Sequence, residues 1–382
     1  MTDFRITAGF IPLTDSLLLV AAREKGFAAA EGVDLTLVRE ISWANIRDRV
    51  AVGQFDVAHM LAPMPIAASL GFSPIDVPVI AAMGLNLGGN AITVSAALWE
   101  SMQAAGAPAD LSPAAVGAAL RLVVKLRKGK LRLAVVHPYS SHNYELRYWL
   151  AASGIHPDRD VELVIVPPPL MADALAAGRI DGFCVGEPWG SVAVASGAGR
   201  IATVKSKLWP LSPEKVLGVT ETWAAAHPDA LAALLRALHK AALWCGVPAN
   251  HAEAAALLAR PDYLGQPAEV IARALSGRIM QAPGHEVEVA DFFISHAHGA
   301  NLPSPADALW YYSQMVRWGD VQHSPERAEI VASSYRPDLY QAVATGELPP
   351  TGRADWYDGV SFDPAALDTY VETLRRRDLL IS

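Results

Sequence analysis

Two histidines and two cysteines are the first residues in this sequence that could do chemistry. His296 and His298 are separated by one residue, so on a strand both imidazoles would lie on one face and could bind a metal ion. No cysteine or carboxylate cluster accompanies them, which favours a packed or solvated loop. Cys184 and Cys245 are 61 residues apart, a spacing typical neither of a zinc site nor of a disulfide framework. Cys184 lies in an apolar segment, where a buried inert thiol is expected.

The short motifs of several enzyme classes are missing from the sequence. It contains no G-x-G-x-x-G, G-x-x-x-x-G-K-[ST], H-E-x-x-H, C-x-x-C or G-x-S-x-G. These absences exclude the common dinucleotide, P-loop, zinc-protease and hydrolase signatures. We therefore expect no cofactor, no metal and no enzymatic activity.

Composition indicates a folded, acidic protein. Of the 382 residues, 52% are apolar and 18% are charged, with a formal net charge of −8. This length favours two or three domains. No run reaches the roughly 18 apolar residues of a membrane span, so no membrane insertion is expected. The acid surplus disfavours direct binding of nucleic acid. Residues 1–12 lack the apolar segment and cleavage site of a signal peptide, which predicts a cytoplasmic location, or a periplasmic one if an export signal was removed.

The positions that could bind a ligand depend on a repeated α/β pattern. Strand-like and helix-like segments alternate over residues 4–60 in the order β-α-β-α-β, and the same order returns over 131–185. This pattern is typical of a parallel sheet covered by helices, here in two similar lobes. Ligands of open α/β sheets bind where the strands end, and the helices that follow offer free N–H groups to an anion. The loops in question are 12–16, 42–43, 62–65, 140–142, 167–169 and 186–189.

Several stretches resemble a known family. They are IPLTD at 11–15, SWANIRD at 42–48, LAPMP at 61–65, NLGGNAIT at 86–93 and LRYWL at 146–150; the most specific are VPPP at 166–169, DGFCVGEPW at 181–189, PEKVLGV at 213–219 and QMVRWG at 314–319. Together they are similar to the nitrate and bicarbonate binding proteins of ABC transporters, typified by NrtA and CmpA, and to their cytoplasmic relatives, the NasS-type nitrate/nitrite sensors. The resemblance runs from about Ile6 to Gly319.

The resemblance implies a type II periplasmic-binding-protein fold, with two α/β lobes and a ligand cleft between them. On that topology residues 1–95 and 222–382 form lobe I, which includes the C-terminal helices, and residues 96–221 form the inserted lobe II. Residues 96–221 carry 13 Lys and Arg against 11 Asp and Glu, so the acid surplus lies outside the predicted lobe II.

The same resemblance implies five ligand-binding residues. Trp43 would give a flat wall and one indole N–H, and the amide of Asn90 would donate two more. His142 would donate from its ring, the backbone at Gly186 would approach the ligand, and Lys215 would supply a positive charge. A shorter amide at Asn90, where a Gln is expected in the transport proteins, puts the shape of the site in doubt.

Charge decides between the candidate anions. Bicarbonate binders of the family tend to carry an acidic residue at the position of Lys215, so Lys215 with His142 favours nitrate or nitrite. The missing signal peptide favours a cytoplasmic nitrate/nitrite sensor that signals to a NasT-type antiterminator partner. The alternative is the substrate-binding component of a nitrate ABC transporter. A bicarbonate binder, or an enzyme on the same fold such as the thiamine-pyrimidine synthase relatives, is a further reading, although the chain lacks the Cys/His-rich site of those enzymes.

Overall fold

A computed structural model describes residues 4–345 and 356–381; the remaining positions of the predicted lobe I, 1–3, 346–355 and 382, lie outside it. The described residues contain these strands: β1 (Phe4–Phe10), β2 (Val33–Arg39), β3 (Val57–Leu61), β4 (Val79–Gly88), β5 (Asn90–Ser95), β6 (Leu131–Val135), β7 (Val161–Ile165), β8 (Gly182–Gly186), β9 (Gly199–Val204), β10 (Pro213–Thr220), β11 (Arg278–Ala282), β12 (His285–Glu288) and β13 (Phe293–Ile294).

The α-helices of the same residues connect and cover these strands. They are α1 (Leu17–Glu24), α2 (Phe27–Ala30), α3 (Trp43–Ala51), α4 (Pro63–Ser69), α5 (Ala96–Ala104), α6 (Pro113–Leu126), α7 (Ser141–Ala152), α8 (Met171–Ala176), α9 (Trp189–Ala195), α10 (Lys205–Leu208), α11 (Glu221–Ala226), α12 (Pro228–Cys245), α13 (His251–Leu258), α14 (Ala268–Ser276), α15 (Pro305–Arg317), α16 (Pro325–Ser333), α17 (Pro337–Gln341) and α18 (Leu367–Asp378).

Two sheets carry the repeated pattern. The first has the strand order β13-β4-β10-β3-β1-β2, and the second has the order β7-β6-β8-β5-β9. In the first sheet β1 pairs in parallel with β2 and β3, and in the second β6 pairs in parallel with β7 and β8. The predicted β-α-β-α-β repeat is therefore present in both halves. The helix predicted after β1 is divided into α1 and α2 at Gly26, whose φ of +76° ends the first helix.

Each sheet also contains antiparallel strands that the repeat does not predict. In the first sheet β10 pairs antiparallel with both β3 and β4. In the second sheet β5 pairs antiparallel with both β8 and β9. The chain therefore crosses between the sheets twice, once from β4 to β5 and once from β9 to β10.

These crossovers differ from the predicted limits of lobe II, residues 96–221. β5 belongs to the second sheet although it lies before residue 96, and β10 belongs to the first sheet although it lies before residue 222. The repeated pattern marks only the parallel units, because the antiparallel strands have no counterpart in the β-α-β-α-β signature. Sheet membership changes at residues 88–89 and between β9 and β10.

The first crossover depends on glycine. Gly88 and Gly89 have φ values of +69° and +89°. A Cβ at Gly88 would lie 2.3 Å from the carbonyl oxygen of Phe292, so this position requires both a positive φ and the absence of a side chain.

The C-terminal helices pack on both lobes and not on lobe I alone. Helices α12 and α13 pack against α1. In contrast, α15 contacts both α4 and α7, and the hydroxyl of Tyr148 on α7 donates to Asp358 at 3.0 Å. Trp356 stacks on Tyr148 with a centroid distance of 3.9 Å. Helix α15 therefore packs on both lobes, and Trp356 and Asp358 add contacts to α7 that no local pattern reveals.

Within the described ranges no single helix is long and apolar enough to cross a membrane. The helices Pro228–Cys245 and Pro248–Leu258 together have the length and composition of a span, but they are bent by 92° relative to each other.

Candidate functional site

Two of the predicted site residues lie in the first turns of helices, one from each half of the repeat. Helix α3 begins at Trp43, after Ser42, whose hydroxyl accepts from the backbone N–H of Asn45. Helix α7 begins at Ser141, after Ser140, whose hydroxyl accepts from the N–H of Asn143 at 3.0 Å. Serine caps of this kind fix where a helix begins. Helix α3 follows the second strand of the first half of the repeat and α7 follows the first strand of the second half, and Trp43 and His142 lie in their first turns, at positive helix ends.

The lobes meet where the strands end. The backbone N–H of Thr14, after β1, donates to the carbonyl of Glu187, after β8, at 2.8 Å. The indole N–H of Trp189 donates to the carbonyl of Pro12 at 3.1 Å. These bonds bring the loop at 12–16 against the loop at 186–189, as expected for a cleft at the carboxyl ends of the parallel strands.

The structure brings the five predicted site residues together. All of their side chains that carry polar atoms are buried, and Gly186 pairs with Asn90 across β5 and β8. The Nζ of Lys215 lies 5.6 Å from the ring centroid of Trp43. The Nε2 of His142 lies 3.4 Å from an Oε of Glu214, which in turn lies 2.5 Å from the Nζ of Lys215. Their roles toward a ligand remain a proposal.

Lys215 is engaged by two carboxylates. Its Nζ lies 2.8 Å from Asp15 and 2.5 Å from Glu214, and no part of its side chain is exposed. Burial alone would lower the pKa of Lys215, but Asp15 and Glu214 raise it above its usual value. The positive charge of Lys215 is thus present in the cleft and already neutralised.

A second buried lysine, Lys205, extends this cluster. Its Nζ lies 2.5 Å from Glu145 and 2.5 Å from Glu214, and it also donates to the carbonyl of Pro213 at 2.7 Å. Burial opposes the ionisation of Glu214, but Lys205 and Lys215 outweigh it and hold the pKa of Glu214 well below its usual value. Burial raises the pKa of Glu145, which has a single lysine partner.

Two buried histidines border the cluster as neutral rings. Burial lowers the pKa of His59, although Asp15 opposes the shift. The N–H of Ile11 donates to Nδ1 of His59 at 3.4 Å, so the ring proton lies on Nε2, 2.8 Å from Asp15. Burial lowers the pKa of His142 to about 3, against the opposing effect of Glu214.

Several buried polar atoms of the cleft have no hydrogen-bond partner. Among the described residues these include Nε1 of Trp43, both ring nitrogens of His142 and the amide oxygen of Asn90. A buried donor without an acceptor costs about 1–3 kcal/mol, so each such group calls for an explanation. The unused donors of Trp43 and His142 match a ligand with acceptor oxygens.

Asn90 departs from its predicted role. Its amide NH₂ donates to Glu145 at 3.0 Å and to Glu214 at 2.7 Å, so both donors are directed at carboxylates. Its free atom is the oxygen, an acceptor. Gly186 does lie close to the site, because a Cβ there would be 3.2 Å from Asp15 and 3.4 Å from the Asn90 oxygen.

Most residues of the charged cluster were not predicted from the sequence. Asp15 and Glu214 lie inside the motifs IPLTD and PEKVLGV, so these motifs could have indicated them as candidate site residues. Glu145 precedes the motif LRYWL by one residue, and Lys205 and His59 belong to no motif. Lys205 begins α10 directly after β9, and the packing of α10 against α7 brings it beside Glu145.

The other candidate residues take no part in this cluster. His296 lies in a loop and contacts Asn301 through Nδ1 at 2.8 Å, which confirms the loop prediction. The described part of the chain contains no group of three or more His, Cys, Asp or Glu arranged to hold a metal ion. Cys184 and Cys245 are free and buried, and burial raises the pKa of both thiols.

Two α/β lobes joined by two crossovers, with unused buried donors where they meet, define a ligand-binding protein of the periplasmic-binding-protein fold. The model of the NMT1-like family matches residues 3–259, and the chain belongs to that family. It is 34% identical to the nitrate/nitrite binding protein NrtA of Synechococcus elongatus, over 97% of this chain and 86% of that protein.

A second relative is a longer protein. The chain is 38% identical to the nitrate import ATP-binding protein NrtC of Synechocystis, over 89% of this chain and 50% of that protein. The chain thus spans about half the length of this relative, and most of the length of NrtA.

Solved structures give the same fold. The periplasmic nitrate-binding protein NrtA from Synechocystis PCC 6803 superposes with a TM-score of 0.88 and 28% identity, over 97% of this chain and 98% of that one. The alkanesulfonate-binding protein SsuA from Xanthomonas axonopodis, at 18% identity and a TM-score of 0.58, covers 87% of this chain and 97% of its own and shares the fold. The predicted fold and family are therefore confirmed.

Proposed function

We propose that this chain is the substrate-binding component of an ABC-type importer and that its substrate is nitrate or nitrite. The observation that carries the proposal is the pair of unused donors, Trp43 Nε1 and the ring of His142, buried beside Lys215. The identity with NrtA over nearly the whole chain supports the choice of anion.

The geometry suits a small planar anion. The indole of Trp43 offers a flat face and one in-plane N–H, and His142 offers one N–H as a neutral ring. Both groups lie in the first turns of helices, α3 and α7, where the helix dipole is positive. Closure of the lobes around the anion would remove it from water and strengthen each of these hydrogen bonds.

Isothermal titration calorimetry with nitrate, nitrite, bicarbonate and sulfate tests the proposal. We expect nitrate or nitrite to bind, and sulfate, with two charges and a tetrahedral shape, not to bind. Bicarbonate binding without nitrate or nitrite binding would overturn the choice of anion. The same titrations of His239→Gln, a buried histidine outside the cleft, provide the control for nonspecific effects of substitution.

The sensor function and the antiterminator partner predicted from the sequence remain untested predictions. They depended on the start of the sequence, whereas the NrtA structure reported above is periplasmic. Transport is preferred because NrtA and NrtC are named for binding and import of nitrate. Fractionation of cells that express the full gene separates the two functions: a transport component is exported, and a sensor stays in the cytoplasm and is recovered with its regulator.

A further inference from the structure

The charges of the cleft do not favour an anion by themselves. Asp15 and Glu214 each contact Lys215, and Glu145 and Glu214 each contact Lys205, at 2.5–2.8 Å. Two lysines thus face three carboxylates, all of them buried. With Asp15 and Glu214 ionised the charges cancel, and an ionised Glu145 makes the sum negative.

A monoanion added to this cluster needs a compensating positive charge. An unpaired charge in a buried site is strongly unfavourable. A bound cation would need several oxygen or nitrogen ligands, but the described ranges hold no cluster of three or more such side chains arranged for a metal. A proton taken up by a residue of the cleft would restore the balance without a further ligand.

His142 is the group placed to take that proton. It lies in the first turn of α7, its ring is completely buried, and neither ring nitrogen has a hydrogen-bond partner. A protonated ring would donate from both nitrogens, one toward Glu214 at 3.4 Å and one toward a bound anion. The other charged groups that act on it are Lys205, Lys215 and Asp15.

We infer that the cleft binds its anion together with one proton, and that His142 holds this proton in the complex. The inference rests on the proposed function, because it concerns the same anion. Without anion the ring is neutral, since burial and the two lysines oppose its charge. With anion the added negative charge and the new acceptor favour the imidazolium. His59 is not equivalent, because Nδ1 accepts from Ile11 and Nε2 already faces Asp15.

Nitrate titrations in buffers of different ionisation enthalpy count the protons directly. At pH 7 we expect the wild-type protein to take up about one proton per nitrate, and the affinity to fall about tenfold per pH unit between pH 6 and 8. The sign follows from the pKa of His142, which is low without the anion and raised by it, so affinity is lost as the pH rises.

Two variants test whether His142 is the residue that takes up the proton. His142→Gln keeps a neutral donor, and we expect weaker binding that is independent of pH and takes up no proton. His239→Gln removes another buried histidine, outside the cluster, and should keep the uptake of about one proton.

Each outcome is decisive. Nitrate binding by the wild type without proton uptake overturns the inference and leaves the proposed function standing. Proton uptake that survives in His142→Gln overturns the assignment to His142 and points to Glu145. No binding of nitrate between pH 5 and 8 overturns the proposed function, and this inference with it.

Discussion

Glu214 and Lys215 are consecutive residues of one strand, yet their side chains form an ion pair, with 2.5 Å between Oε1 and Nζ. Neighbouring residues of a regular strand point to opposite faces. The register of β10 against β4 is irregular on both sides of Lys215. A β-bulge re-aims side chains in this way, and here it directs two opposite charges into one cleft.

Removal of a buried lysine should destabilise the protein strongly. In Lys205→Met two buried carboxylates, Glu145 and Glu214, lose their shared partner, and we expect a loss of about 3–5 kcal/mol in the free energy of unfolding. The measurement is urea denaturation followed by tryptophan fluorescence. Lys25→Met, which breaks an exposed pair with Glu253, is the control and should cost no more than ~1 kcal/mol. Equal losses in the two variants would contradict a buried network.

Glu187 should make stability depend on pH. Burial raises its pKa from 4.5 to about 7, and one carboxylate oxygen has no partner. The folded state therefore binds more protons than the unfolded state between pH 4.5 and 7, so stability falls as the pH rises through this window, by about 3 kcal/mol for this group. Above pH 7 the loss is complete.

The measurement is the free energy of unfolding of Glu187→Gln minus that of the wild type, at pH 5 and pH 8. Other titrating groups contribute equally to both proteins and cancel in the difference. Between pH 5 and pH 8 this difference should rise by about 3 kcal/mol in favour of the variant. Glu253→Gln, at an exposed position, should show no such shift. A pH-independent difference for Glu187→Gln would show that the carboxyl is not protonated in the fold.

Substitution of two buried tryptophans should distinguish an effect on nitrate binding from an effect on stability. The Nε1 of Trp43 has no protein partner, whereas that of Trp149 donates to the carbonyl of Pro113 at 2.9 Å. Trp43→Phe keeps the flat wall and removes the donor, so nitrate affinity should fall about tenfold or more. Trp149→Phe should leave the affinity unchanged and lower the free energy of unfolding by about 1–2 kcal/mol more than Trp43→Phe does. Calorimetry and urea denaturation measure the two effects, and an unchanged affinity in Trp43→Phe would exclude its indole N–H as a ligand contact.

The first crossover should tolerate no side chain. Gly88→Ala adds a Cβ at 2.3 Å from the carbonyl oxygen of Phe292, in addition to the strain of a positive φ. Gly106→Ala shares the positive φ but meets nothing within 4 Å, so it measures the strain alone, about 1 kcal/mol. We expect Gly88→Ala to lower the melting temperature clearly more than Gly106→Ala does. Similar melting temperatures would mean that the crossover adjusts easily.

The sequence determined the local elements and the family. The β-α-β-α-β order and the family motifs depend on neighbouring residues, so they can be read along the chain. They were sufficient to predict the two-lobed fold and to bring Trp43, Asn90 and His142 to one cleft.

Only the tertiary structure decided how that cleft is charged. Lys215 looked like a free positive charge, but Asp15, 200 residues away in the chain, and Glu214 neutralise it. The donors of Asn90 turned out to face carboxylates rather than a ligand. The two crossovers also moved β5 and β10 to the sheets opposite those predicted. Such pairings depend on which distant segments meet, and the charge of a buried group depends on those partners more than on its own residue type.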